Sequence, residues 1–260
     1  MIGLILGTSE GKVIVEKLNK YTDDLFISVA SSYGATILSS GKFKILNDKP
    51  LKKEELKEIL LKNNVTKLVD ASHPYALEIT KNAMEVCDEL KINYIRFERK
   101  SIIKSYGDVE NIIEVESYEE LYSILKDIKG TILNTTGSRN IEKILNLHLE
   151  NRIIHRVLPT LKVLQECEGL KVKVEDIIAM KGPFSKELNL SFIDEFNIKV
   201  MLLKDSGIKG GTMEKLEAIK ERGILGVVIG RKNIKYDVVF DNEEKLVQYL
   251  TKERGNYNEQ

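Results

Sequence analysis

Short runs of aliphatic and β-branched residues alternate along this chain with segments whose apolar residues recur every three or four positions among lysines and glutamates. The first pattern belongs to buried strands and the second to amphipathic helices, so the alternation predicts βα units built around parallel sheets. In the first hundred residues the strand candidates are Ile2–Leu6, Leu25–Ala30, Lys67–Val69 and Tyr94–Phe97. Helical spacing covers Gly11–Lys20, Lys52–Asn63 and Tyr75–Leu90, with Ala76, Ile79, Ala83, Val86 and Leu90 marking one face of the last. Ser31–Pro50 breaks the rhythm, because Gly34 and Gly41 surround Ala35–Leu38 and Phe43–Leu46, and a small β-ribbon is expected there.

The stretch 99–111 is polar and holds Gly107, which predicts a linker between a domain at 1–98 and a second at 112–260. Beyond it, strands are expected at Ile112–Val115, Thr131–Asn134, Ile153–Val157, Ile177–Ala179, Val200–Leu203 and Val227–Ile229. Helices are expected near Glu119–Lys126, Ile141–Leu147, Thr160–Glu166, Ser185–Glu195, Met213–Arg222 and Glu243–Lys252. The fold class is therefore α/β: two Rossmann-like parallel-sheet domains, with the active site expected in the cleft between them.

Composition narrows the function. Lys+Arg and Asp+Glu number 40 each in 260 residues, so the basic excess of a nucleic-acid binder is missing. No apolar run approaches the roughly 18–20 residues that span a bilayer, and the apolar start lacks the basic flank of a signal peptide. A cytoplasmic protein with no membrane or nucleic-acid partner is expected; oligomeric state has no signature in the sequence. Cys87 and Cys167 are far apart and read as small apolar fillers, and no His or acidic cluster points to a protein-bound metal.

In parallel sheets ligands bind beyond the carboxyl ends of the strands, and polar or glycine-rich turns follow each apolar run. After the first strand, Gly7-Thr8-Ser9-Glu10-Gly11 leads into a helix whose free N–H groups suit a pyrophosphate; a simple helix cap is the alternative. The second strand ends at Ser31-Ser32, with no acid for a ribose 2′-hydroxyl and with Lys12 near the first turn, which favours NADPH over NADH. Val69-Asp70-Ala71-Ser72-His73-Pro74-Tyr75-Ala76 ends the next strand, with Pro74 expected near the first helical position and Ser72 and His73 facing the ligand. His73 is a titratable candidate, with a capping role as the alternative. In the second half, Thr136-Gly137-Ser138-Arg139, Arg156-Val157-Leu158-Pro159, Lys181-Gly182-Pro183-Phe184, Lys204-Asp205-Ser206-Gly207, Gly210-Gly211-Thr212 and Gly230-Arg231 close or follow successive strands.

These motifs, in this order, resemble the precorrin-6A (cobalt-precorrin-6A) reductase family of cobalamin synthesis. The most specific piece is Asp70-Ala71-Ser72-His73-Pro74-Tyr75-Ala76, which is similar to that family's Asp-Ala-(Thr/Ser)-His-Pro-(Phe/Tyr)-Ala signature. The likeness runs from Ile2 to about Arg231, with departures at Leu6, where the family often has Gly, and Lys12, where Arg is common. A lysine keeps the charge but loses the bidentate fork. The resemblance implies hydride transfer from NADPH, with NADH as the alternative, to an anionic corrinoid precursor with or without cobalt. It also implies site roles. Gly7, Thr8, Ser9, Glu10, Gly11, Lys12, Ser31 and Ser32 would hold the cofactor. His73, Tyr75, Lys204 and Asp205 are the catalytic candidates. Ser72, Thr136, Gly137, Ser138, Arg139, Lys181, Gly182, Pro183, Phe184, Ser206, Gly207, Gly211 and Arg231 would line the substrate site. Two readings from other classes compete: a cofactor-free two-lobed enzyme similar to uroporphyrinogen-III synthase, and a non-catalytic two-lobed ligand-binding protein.

Overall fold

The computed structural model describes residues 1–7, 10–38, 40–106, 111–207 and 210–252. They divide into two compact units, 1–100 joined by the chain from Asn233 onward, and Ser101–Lys232.

The first unit runs β1 (Ile2–Leu6), α1 (Glu10–Leu18), β2 (Leu25–Val29), α2 (Ser32–Ile37), β3 (Ile45–Asn47), α3 (Lys53–Lys62), β4 (Lys67–Ala71), α4 (Leu77–Leu90) and β5 (Asn93–Phe97). Its strands are parallel, with β1 between β2 and β4. Alternate residues feed two cores, as a sheet covered on both faces requires. Leu4, Leu6, Leu25 and Ile27 pack with Ile14, Val15 and Leu18 of α1, while Ile5, Phe26 and Leu68 pack with Leu56 and Leu60 of α3 and Ala83 and Val86 of α4. Among the described residues the ribbon expected within 31–50 does not form. Ser31 accepts the Gly34 N–H and caps α2, and β3 pairs parallel with β2 instead of turning back on itself.

The second unit contains α5 (Ile103–Tyr106), β6 (Ile112–Val115), α6 (Leu121–Leu125), β7 (Thr131–Asn134), α7 (Ile141–Leu145), β8 (Ile153–Val157), α8 (Leu161–Gly169), β9 (Ile177–Ala179), α9 (Lys186–Glu195), β10 (Ile198–Lys204), α10 (Thr212–Arg222) and β11 (Leu225–Ile229). The sheet order is β6-β11-β10-β7-β8-β9, again parallel throughout. Ile102, Ile103 and Tyr106 pack into its core, so part of the expected 99–111 linker is structural.

The chain then returns. β12 (Val239–Phe240) adds to the edge of β5, and α11 (Glu243–Thr251) buries Leu246, Val247 and Leu250 against the α1 side of the first core. The Arg96 N–H donates to the Val238 carbonyl at 2.9 Å and the Glu98 N–H to the Phe240 carbonyl at 2.8 Å. The 112–260 domain expected from sequence therefore loses its last segment to the first unit. An unpaired strand edge and an uncovered helix stripe attract this segment, and neither is visible in chain order.

Each sheet thus has five strands in the order 3-2-1-4-5 and a sixth supplied by chain beyond its own run. The first unit takes β12; β6, the strand that follows β5 in the chain, sits beside β11.

Leu246→Ala should cost about 2–5 kcal/mol in urea unfolding, as truncation of a buried leucine does. Hydrogen exchange should show lost protection in β5 and α1; loss confined to β7–β11 would contradict this assignment.

Candidate active site

In the first unit the chain leaves β1 toward β2 and β3 and comes back to β4, so the switch point of the strand order lies between β1 and β4. The Gly7 N–H donates to the Ala71 carbonyl at 3.2 Å. A Cβ on Gly7 would stand 3.0 Å from the His73 nitrogen and 3.2 Å from the Ser72 Cα, so the two strand-end loops touch backbone to backbone. A Cβ on Gly11 would reach the Leu6 Cβ at 3.1 Å, which is the close helix–strand approach of dinucleotide folds. Thr8 and Ser9 lie outside the described residues.

Glu10, expected at the cofactor, is buried, and its carboxylate accepts Arg99 Nε–H at 2.8 Å. That pairing neutralises the start of α1, where a bare carboxylate would repel phosphate. Lys12 is exposed, 3.7 Å from Glu16, and Ser31 and Ser32 are exposed beyond β2. A helix start, close-packed glycines, hydroxyls and a lysine form a donor set that fits a phosphorylated dinucleotide.

Beneath these loops lies a buried polar network. Asp70 accepts the Ser72 N–H at 2.9 Å, Thr80 Oγ1–H and Tyr94 O–H at 2.8 Å each, and pairs with Arg96 Nη1 at 2.9 Å. Arg96, 0% exposed, also donates to Ser72 Oγ at 3.1 Å and to Glu98 at 3.1 Å. Burial, and then the Asp70 carboxylate, holds the Tyr94 phenol far above its ordinary range, so it stays a donor. Ser72, expected to face the ligand, is instead part of this interior network. The Ala76 N–H donates to the His73 carbonyl at 2.8 Å, and α4 begins at Leu77. Pro74 therefore sits in the preceding turn and not at the first helical position. His73 and Tyr75 are half-buried at that turn, with ring centroids 5.6 Å apart.

The second unit repeats the arrangement, with its switch point between β7 and β10. Thr135 donates to the Leu202 carbonyl through N–H at 2.9 Å and Oγ1–H at 2.8 Å, tying the two strand ends together. Asn134 Oδ1 accepts both the N–H and the hydroxyl of Thr136, at 2.9 and 2.7 Å. The Asn134 amide therefore points its NH₂ at His155 Nδ1, 3.0 Å away, and the imidazole proton sits on Nε2. Thr136 is buried, Gly137 has φ 94°, and Ser138–Asn140 form one 3₁₀ turn that leaves Arg139 exposed.

Lys204 lies close to Arg139 and Lys143; burial, and then these two cations, push its ammonium down to about 8. Asp205, 2% exposed, accepts the Gly207 N–H at 3.2 Å and pairs with Arg231 Nη2 at 3.3 Å, while Arg231 Nε–H donates to its carbonyl at 3.0 Å. Two residues expected in separate roles, Asp205 and Arg231, thus hold each other. Thr212 Oγ1 accepts the Ser206 N–H at 3.0 Å, joining the β10 loop to α10. Gly211 begins α10 at φ 71°, and a Cβ there would meet the Pro183 Cβ at 3.2 Å. Lys181 and Pro183 are exposed, Gly182 and Phe184 half-buried.

Several groups escaped the sequence reading. Arg96 lies inside a strand already recognised, where the signal was a charge within an apolar run, and Arg99 follows two residues after its end. Lys215 occupies the buried stripe Thr212, Leu216 and Ile219 of α10, a cation at an apolar helical position. Arg156, by contrast, is a strand-end residue that the sequence singles out; it lies at the end of β8 with its guanidinium 4.2 Å over the Phe184 ring. An open groove of about 710 Å³ runs past Arg152, Ile153, Lys171 and Asp176, near the amino end of β8, away from all these loops. Among the described residues no group of three or more His, Cys, Asp or Glu is placed to hold a metal ion, and no helix is long and apolar enough to cross a membrane. The Cys87 thiol is pushed up to about 12 by burial and then by Asp70, which leaves it unreactive.

Residues 1–251 match the sequence model of a family described as precorrin-6x reductase CbiJ/CobK. A cobalt-precorrin-6A reductase of Methanocaldococcus jannaschii is 37% identical over 250 residues, covering 95% of this chain and 97% of that protein. One from Priestia megaterium is 35% identical over 254 residues, covering 96% and 98%. A solved structure of CobK precorrin-6A reductase superposes with a TM-score of 0.78 at 15% identity, covering 96% of each chain, and shares the fold.

Burial pushes the His155 imidazole down to about 4, against a secondary upward pull from Asp176. Between pH 6.5 and 4 the unfolded chain binds a proton that the folded chain refuses, so stability falls as pH drops through that window. The total is about 3 kcal/mol. His155→Gln should flatten the fall in urea midpoint between pH 7 and pH 4.5; an unchanged slope would assign it to other groups.

Proposed function

The chain belongs to the precorrin-6x reductase CbiJ/CobK family, and from that premise we propose that it reduces a precorrin-6A-type macrocycle, in its cobalt-bearing form, with NADPH in cobalamin biosynthesis. The observation that carries this reading is the match over residues 1–251, which takes in both sheets and both switch points. On this reading the reaction runs in the cytoplasm.

The nicotinamide supplies the hydride; the protein's task is to bind, orient and balance charge. Gly7 and Gly11 let backbone and helix start approach the pyrophosphate, with Thr8 and Ser9 adding hydroxyls. Lys12, Ser31 and Ser32 receive the ribose 2′-phosphate. Glu10 acts through Arg99 as a positioning residue. His73 and Tyr75, on the loop against Gly7, would be the proton-donor candidates. Ser72 positions that loop from inside. In the second unit Lys204, Arg139 and Lys181 offer cations to the acidic side chains of the macrocycle. Thr136, Gly137, Ser138, Gly182, Pro183, Phe184, Ser206, Gly207 and Gly211 shape the surrounding loops. Asp205 holds Arg231 in place, which makes it a positioning group and Arg231 the contact.

Purified protein incubated with cobalt-precorrin-6A and NADPH should oxidise the cofactor and yield the dihydro macrocycle, read by nicotinamide absorbance and product mass. No product with either NADPH or NADH would overturn the reading. Gly7→Ala puts a methyl group against the His73 backbone and should weaken NADPH binding by roughly ten-fold, about 1.4 kcal/mol, in calorimetric titration. Lys12→Glu should weaken NADPH while leaving NADH affinity unchanged; equal loss of both would remove Lys12 from the 2′-phosphate.

A further inference from the structure

The second unit carries buried cations that its own side chains leave uncompensated. Arg156 is 6% exposed, its guanidinium 4.2 Å over Phe184 and 5.7 Å from the Phe192 ring centroid. It makes a single side-chain hydrogen bond, from Nη1 to Asn189 Oδ1 at 2.9 Å. Asn189 in turn donates to the Ser185 carbonyl at 2.8 Å, which fixes the loop bearing Phe184. Lys215 is 8% exposed in the first turn of α10. Among the described residues no carboxylate comes within ion-pair distance of Arg156 or Lys215.

Three elements converge here. Gly211 at the start of α10 packs on Pro183 and Phe184, Phe184 lies under Arg156, and Thr212 joins α10 to the end of β10 beside Lys204. Lys215 feels the like charges of Arg156 and Lys204 and the opposite charge of Glu214. Glu214 keeps one buried carboxylate oxygen without a hydrogen-bond partner. Burial, and then Arg156, pushes the Lys215 ammonium down to about 7, and Arg156 itself is lowered to about 10 by burial alone. Retaining unpaired charges in an interior costs stability, and they persist where a ligand completes them. The N–H groups starting the eleven-residue helix α10 add to the same positive end.

We propose that Arg156, Lys215 and Lys204 form a buried oxyanion well at the carboxyl end of the second sheet. It rests on the reductase reading for its occupant, since two groups in that reaction carry such chemistry: a carboxylate of the macrocycle and a phosphate of the dinucleotide. Lys215 does not follow from the strand-end motifs, and together with Arg156 it sets where one acidic arm is anchored.

The test uses the full chain with Lys215→Met, and Lys215→Arg as the charge-retaining control. Without ligand, Lys215→Met should melt at the wild-type temperature or above, because it removes an unpaired buried charge; a merely structural lysine would lower it. Citrate and inorganic phosphate should raise the wild-type melting temperature, and Lys215→Met should lose that shift. In turnover, a KM for the macrocycle raised by roughly ten-fold or more, beyond any fall in kcat, with NADPH affinity unchanged, identifies a substrate carboxylate. A weakened NADPH affinity with unchanged KM identifies a cofactor phosphate. Lys215→Arg should recover part of either loss. If wild type reduces no corrinoid, the reductase reading fails while the anion-induced melting shift still reads the well. If Lys215→Met keeps the anion shift, KM and NADPH affinity of wild type, the well is overturned.

Discussion

Both sheets are parallel and covered by helices on both faces, and this burial decides where chemistry can sit. A strand enclosed on each side must be apolar along its length, so polar side chains that meet a ligand are driven to the strand ends. There the backbone opens into turns, and helix starts present unpaired N–H groups. At β1 and β4, and again at β7 and β10, the chain reverses its direction of travel across the sheet and leaves a crevice. Gly7, His73, Thr136 and Lys204 gather at these two places, and the other candidates lie at neighbouring strand ends, because the topology leaves them little other room.

The two units treat buried charge in opposite ways. In the first, Asp70 and Arg96 sit at 0% exposure, 2.9 Å apart, with Ser72, Thr80 and Tyr94 filling the remaining hydrogen-bonding positions. Such a pair is closed: removing either member typically costs about 3–5 kcal/mol, and nothing in it invites a ligand. It shapes the loop carrying His73 from beneath. In the second, Arg156 and Lys215 are buried at 6% and 8% exposure but face an aromatic ring, an amide, other cations and the single acid Glu214. One network holds a loop still, and the other leaves charge to be met from outside.

Most strands and helices were legible because each carries its own periodicity, and their ends fall within a few residues of the apolar runs. The 31–50 segment misled because Gly34 reads as a turn, although a Cβ there would meet the Val29 Cβ at 3.1 Å and the residue serves close helix packing. The strand-end loops were legible too, as glycine and polar turns after apolar runs. Their inner partners were not. Arg99 reaches Glu10 across 89 positions of sequence, and Arg231 reaches Asp205 across 26, so neither pairing leaves a local signature.

The sequence by itself determined the class of fold, the alternation of elements and the polar, glycine-rich loops at the strand ends, since hydrophobic period and turn chemistry act over a few residues. Tertiary structure alone decided that β12 and α11 complete the first unit, that Ser72 and Asp205 point into networks, and that Lys215 lies buried beside Arg156. Those outcomes depend on which edges are left unpaired and which charges are brought together from distant positions. Burial and charge proximity are properties of the packed chain, and they arise only when the sheets have formed.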